Sequence, residues 1–163
     1  MIRHAGLIAR RQQGLWRGAL IEGPSGCGKS DLMLRALDAG WLLVADDRVM
    51  LWTSERRLYG CAPPTLRGLM EIRGLGVIPT PALAFAEVAL YVTCVDAAQI
   101  ERMPEFEVQT LLETAIPRIR LAAIEASAPA KLACALTHLG LPAQASYQAC
   151  GAGGDHPDAG GVP

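Results

Sequence analysis

Apolar residues cluster in short runs that polar or glycine-rich stretches interrupt, the pattern of a chain that alternates buried strands with helices. "GALIEG" (18–23) is one such run closed by glycine, and "LLVADD" (42–47) is another that ends in acids. Both predict buried strands. Between them, "KSDLMLRALDAG" sets Leu32, Leu34, Ala36 and Leu37 among polar residues at helical spacing, with Gly40 where a left-handed C-terminal cap belongs. "RVMLWTSERRLYG" predicts a hairpin with Val49, Leu51 and Thr53 on one face and a polar turn at Ser54 to Arg56. "GLMEIRGLGVIP" (68–79) alternates glycine with apolar residues around Glu71 and Arg73, which predicts an irregular backbone. "EVALYVTCV" (87–95) is the clearest later strand, and "SAPAKLACALTHLG" predicts a helix from a Ser127 N-cap, Pro129 in its first turn and Gly140 past its end. The closing "GAGGDHPDAGGVP" buries too little apolar surface to offset ordering, so a Gly-rich disordered tail is expected over 143–163 behind one domain over 1–142.

Composition narrows the class. A length of 163 residues with 51% hydrophobic content suits one domain with a proper core, and a net charge of -1 supplies no electrostatic footprint for nucleic acid or an anionic membrane. Five cysteines, at 27, 61, 94, 134 and 150, have neither metal-type spacing nor an even number, which points to a reducing cytoplasm. No segment approaches a membrane span or a signal peptide.

The candidate chemistry begins at "GPSGCGKS". Gly23, Pro24, Ser25, Gly26, Cys27, Gly28, Lys29 and Ser30 satisfy GxxxxGK[ST] between a predicted strand and a predicted helix, the context this motif needs. The glycines let backbone N–H groups converge on phosphate oxygens, Lys29 neutralises the terminal phosphates, and the Ser30 hydroxyl is a magnesium ligand. A tight structural turn is the alternative. Asp46 and Asp47 end a strand expected to run directly beside the phosphate-loop strand, so that its carboxyl end opens into the same crevice. Neighbours on a strand point to opposite sides, so one acid can face the metal and the other an acceptor hydroxyl whose proton it takes. A solvated strand end is the alternative there. Cys27 can project to solvent or pack beneath the loop.

"GPSGCGKSDLMLRALDAGWLLVADDRV" together with "MEIRGLGVIP" resembles the C-terminal catalytic domain of HPr kinase/phosphorylase, over about His4 to Leu139. The resemblance implies an α/β P-loop kinase fold of the type shared with phosphoenolpyruvate carboxykinase, with a mixed central sheet and flanking helices. It implies ATP and Mg2+ as cofactors, phosphorylation of a serine of the phosphocarrier protein HPr, and a homo-oligomer, a hexamer. By position it assigns Ser30 and Glu71 to magnesium and one of Asp46 and Asp47 to acid/base work, with Asp47 the better match in its spacing from Lys29. It places His4 beside that base, Arg73 with Glu71 in the signature loop, and Arg102 of "IERMPE" at a catalytic arginine. The match opens at His4, so a short form without the N-terminal domain of longer members is expected. The loop tied to dephosphorylation shrinks to "IPRIRL", with Arg118 and Arg120, which weakens the reverse phosphorolysis relative to the kinase reaction. A P-loop kinase of a small metabolite and a non-catalytic nucleotide-binding regulatory module are the competing functions.

Overall fold

The computed structural model of the chain describes residues 1–139. Its scaffold is a nine-stranded mixed sheet. The first strands, β1 (Ile2–His4), β2 (Gly6–Gln12) and β3 (Leu15–Glu22), are followed by the phosphate loop and helix α1 (Lys29–Asp38). Then come β4 (Leu42–Ala45) and the hairpin β5 (Arg48–Ser54) with β6 (Arg57–Cys61). A separate two-stranded hairpin, β7 (Leu69–Ile72) and β8 (Gly76–Pro79), precedes β9 (Ala86–Cys94), β10 (Glu107–Leu111), β11 (Thr114–Leu121) and helix α2 (Ala128–Leu139).

β9 is the central strand because its sequence is apolar on both faces, and all but Glu87 and Thr93 of its side chains are buried. β3 pairs parallel with it along most of its length; on its other edge β6 takes the first residues, antiparallel, and β11 takes Tyr91 to Cys94, parallel. Beyond β3 the order is β2 and then β4, both antiparallel to their neighbour. The expected adjacency of the "LLVADD" strand to the phosphate-loop strand is therefore corrected: β2 stands between them. β2 pairs with both, so β3 and β4 still run parallel and present their carboxyl ends on one side of the sheet.

Alternation along the strands produces two cores. One face of the sheet, through Ile8, Ile21, Leu43, Leu90 and Val92, packs against Leu32, Met33 and Ala36 of α1 and Leu132 and Leu136 of α2. The other, through Leu7, Leu20, Val44 and Val88, is covered by Val49, Leu51 and Leu58 of the β5–β6 hairpin and by Leu111 and Ile116 of β10 and β11. α1 departs from its expected face in one residue. Met33 enters the core while Leu34 remains 38% exposed.

The segment 68–79, expected to be irregular, forms the regular β7–β8 hairpin; Gly74 and Gly76 take positive φ at and just beyond its turn, where glycine costs nothing, and leave the strands regular. The β5–β6 hairpin turns as expected, through Glu55 and Arg56, both in left-handed backbone. The predicted Gly140 cap and the tail over 143–163 lie outside the described residues.

Candidate active site

Strand β3 ends at Glu22, and the loop from Gly23 to Gly28 carries the chain into α1. Gly28 occupies the N-cap position with φ of 94°, a conformation that an L side chain enters only with strain. A methyl group there would sit 3.0 Å from Ile124 Cγ2, but Ile124 is exposed and can yield, so the backbone sets the cost. Gly28→Ala is expected to lower stability by about 1–2 kcal/mol, measured by thermal or urea denaturation. Asp31 lies in the first turn of α1 and accepts from Arg35 Nε at 2.8 Å, while Arg35 also donates to the carbonyls of Ala123 and Glu125 and ties the helix to the segment before α2.

Lys29 Nζ donates to the carbonyl oxygens of Gly23, at 2.9 Å, and Pro24, at 3.0 Å. The ammonium is thus folded back over its own loop. Cys27 packs beneath the loop against the helix-side core.

β4 stops at Ala45, and both aspartates fall in the bend that follows. Strand alternation no longer governs them, because Asp47 adopts left-handed backbone with φ of 66°. Its carbonyl accepts from Ala5 N at 3.1 Å, and its Oδ1 lies 3.0 Å from His4 Nδ1. β1 and the β4–β5 bend thereby set His4 against Asp47. Asp46 is half-buried and accepts from Glu71 N at 3.0 Å through Oδ2, which fixes the β7–β8 hairpin at the edge of the site.

Burial raises the Asp46 pKa above the ordinary aspartate range; the Glu71 N–H opposes this, and the neighbouring Asp47 and Glu71 charges reinforce it. The folded state therefore holds this proton more tightly than the unfolded chain does. Its contribution to stability is present at low pH and is lost as pH rises from the unfolded carboxylate value through the raised one. Asp46→Asn, which keeps the acceptor oxygen, is expected to stabilise the protein near neutral pH, with the difference shrinking as pH falls into the acid range in paired denaturation curves.

A cavity of about 500 Å3 collects these groups: His4, Lys29, Ser30, Asp47, Glu71 and Arg73 line it, with Ser25, Gly26, Gly28 and Asp31 beside them. Leu34 and Ile72 supply apolar wall. A smaller cavity of about 50 Å3 joins Lys29, Ser30, Asp46, Asp47 and Glu71. Asp47 and Glu71 belong to both, Asp46 to the small one alone. Among the described residues no group of three or more His, Cys, Asp or Glu converges into a ready metal site. The donors in the small cavity are oxygens, and Mg2+ is commonly held by one or two carboxylates together with phosphate oxygens, so this donor set fits that ion when a nucleotide brings the rest.

Arg102 is not brought in. It lies in an exposed stretch between a 3-10 turn (Ala97–Gln99) and β10, outside the cavity lining. Arg118 and Arg120 sit on β11 and pair with Glu107 of β10, at 3.6 and 3.1 Å.

Sequence reasoning missed the support under the loop. The Glu22 carboxylate accepts from Arg3 Nε at 2.7 Å, from Arg3 Nη2 at 2.6 Å and from the Tyr91 hydroxyl at 2.7 Å, joining β1, β3 and β9 next to His4 and Gly23. The hydrogen bond to Glu22 strengthens the Arg3 charge, and burial foremost pushes the Tyr91 hydroxyl pKa up. An acid before a phosphate loop was the available signal, but its partners are distant in sequence.

The profile of the HPr Serine kinase C-terminal domain matches residues 14–133. The chain belongs to this family. Among curated relatives, the HPr kinase/phosphorylase of Clostridium tetani is 46% identical over 66 residues, 40% of this chain and 22% of that protein. That of Lacticaseibacillus casei strain BL23 is 50% identical over 62 residues, 37% of this chain and 19% of that protein. The chain thus aligns with about a fifth of the length of these relatives. A solved structure, that of the Hpr(Ser) kinase/phosphatase from Coxiella burnetii, superposes with a TM-score of 0.72 at 22% identity, covering 94% of this chain and 99% of that one, and so shares the fold. The expected P-loop fold with a mixed sheet and flanking helices is the fold of this family, with both helices on one face.

Proposed function

We propose that the protein is an ATP- and Mg2+-dependent serine kinase whose acceptor is an HPr-type phosphocarrier protein, acting in the cytoplasm in the control of carbon metabolism. The observation that carries this reading is the single cavity in which Lys29 and Ser30 of the phosphate loop meet Asp47 with His4, and Glu71 with Arg73. Four chain segments converge there, and each brings a different part of a phosphoryl-transfer site.

In this reading the N–H groups of the loop and the start of α1 take the β- and γ-phosphates, and Lys29 exchanges its carbonyl partners for phosphate oxygen. Ser30 and Glu71 would hold magnesium, which when bound neutralises charge on the β- and γ-phosphates. Asp47, its orientation set by His4, takes the proton of the serine hydroxyl as the serine oxygen bonds to the γ-phosphorus and ADP departs. Asp46 keeps Glu71 in place through the Glu71 N–H. Arg73 is the cation available to equatorial phosphate oxygens from the cavity wall. Arg102 holds its assignment by resemblance alone. Reverse phosphorolysis of the seryl-phosphorylated carrier, and assembly as a hexamer, rest on resemblance in the same way.

The test is incubation with a purified HPr-type carrier, ATP and Mg2+, followed by mass spectrometry for phosphoserine, with Asp47→Asn and Asp46→Asn alongside. The expected result is one phosphoserine on the carrier, nearly absent with Asp47→Asn. ATP binding without carrier modification would favour the regulatory module, and ATP turnover onto another acceptor would favour a metabolite kinase.

A further inference from the structure

The phosphate loop conceals a pair of thiols that its nucleotide chemistry does not use. Cys27 is half-buried on the underside of the loop, and Cys94, the last residue of β9, is 1% exposed beneath it. Gly23 marks how closely they approach. A methyl group on Gly23 would lie 2.9 Å from Cys27 Sγ, 2.7 Å from Cys94 Cβ and 3.1 Å from the Cys94 carbonyl. No side chain at position 23 separates the two cysteines, and both pack in the same helix-side core. Lys29 Nζ also contacts the Cys27 sulfur, at 4.0 Å.

We propose that Cys27 and Cys94 are a reversible oxidation site, forming a disulfide beneath the phosphate loop that closes the loop to nucleotide. This goes beyond the kinase reading: the cross-link depends on the geometry of the two thiols, and its effect on nucleotide rests on that reading. The oxidant is a peroxide. Cys27, the member of the pair that meets solvent, gives up electrons to hydrogen peroxide and becomes a sulfenic acid, with release of one water. The Cys94 sulfur then attacks the Cys27 sulfur, and its proton leaves with the sulfenic hydroxyl as a second water. Two thiols and one peroxide thus yield one disulfide and two waters.

The order of events follows from burial. Cys94 is 1% exposed, and desolvation first, with the Cys27 thiol second, pushes its pKa up to about 12, so peroxide arriving from solvent meets Cys27 first. The new bond draws the Cys27 sulfur inward, away from Lys29. It also pins the loop at the position where backbone N–H groups must open around phosphates. A dithiol reductant restores both thiols.

The experiment treats the full chain with hydrogen peroxide, blocks free thiols by alkylation, digests with trypsin and maps peptides without reduction. Cleavage at Arg17, Lys29, Arg73 and Arg102 releases 18–29 and 74–102, each with a single cysteine. The expected result is a covalent pair of these two peptides, lighter by two hydrogen atoms than their sum and separated by dithiothreitol. ATP–Mg2+ affinity is expected to weaken by roughly tenfold or more on oxidation and to return on reduction. In Cys94→Ala, peroxide should instead carry Cys27 to the sulfinic acid, with a loss of binding that dithiothreitol does not reverse. Cys27 oxidised in the wild type with Cys94 still alkylated, or cross-links only through Cys61, Cys134 or Cys150, would overturn the proposal. So would a 27–94 cross-link that leaves ATP affinity unchanged. Reduced protein that binds no ATP would count against the kinase reading instead, and leave the peptide result standing.

Discussion

Lys29→Met is expected to reduce phosphoryl transfer to the carrier by roughly a hundred- to a thousand-fold while leaving the fold intact, since a cation aimed at developing phosphate charge contributes on that scale. The structure separates this effect from stability. Lys29 Nζ spends its two strong hydrogen bonds on the Gly23 and Pro24 carbonyls, both at the partly exposed loop, where water replaces a lost donor at little cost. Methionine keeps the apolar stem. The check is transfer of radiolabelled γ-phosphate beside a melting curve, and a fall in melting temperature parallel to the loss of transfer would refute the separation. ATP affinity should fall by less than the rate does, because the backbone N–H groups and the helix terminus still hold the phosphates.

Asp47→Asn is expected to cost roughly a hundred- to ten-thousand-fold in kcat, with ATP affinity nearly unchanged. Asparagine preserves the size and the carbonyl oxygen that can meet His4, but it cannot take a serine proton. Asp47 is exposed and shared by both cavities, whereas the Asp46 carboxylate is half-buried and committed to Glu71 N. Asp46→Asn should therefore be the milder of the two. His4→Ala should lose activity by a smaller factor, and its effect should largely vanish in an Asp47→Asn background, because the two side chains act as one unit across 3.0 Å. Equal losses from the two aspartate variants would overturn the assignment of Asp47.

The sequence alone made the segment from β3 to β4 legible because its signals are local: an apolar run, a glycine loop, a helical period, another apolar run. β9 stood out because a strand buried on both faces is apolar nearly throughout, with Glu87 and Thr93 confined to its ends. β2 was hidden by Arg10, Arg11 and Gln12, whose polarity imitates a solvated terminus, and its placement between β3 and β4 follows from pairing that no local signal encodes. In the β7–β8 segment the glycines imply irregularity, yet Gly74 lies in the turn and Gly76 opens β8. The aspartates show the limit of periodicity. The alternation rule needs a strand, and the strand ends one residue before Asp46. Arg102 was reached through a short resemblance, and the structure leaves it apart from the cavity. Of the Glu22, Arg3 and Tyr91 cluster only the acid before the loop left a signal, because its partners are joined to it by folding rather than by spacing.

The order in which the polypeptide emerges during synthesis gives the central strand another meaning. The polar residues of the cavity all lie between His4 and Arg73, so the first half of the chain already holds the chemical groups. Yet β3, which aims the phosphate loop, gains its second neighbour only when β9 arrives, and the floor beneath the loop is Cys94. A nascent chain that stops short of Ala86 would carry the groups without the surface that holds them in register. Parallel pairing across that separation is slow to form. The competent state should therefore appear late and all at once, and ribosome-bound chains of increasing length should gain nucleotide binding only after β9 has cleared the exit tunnel.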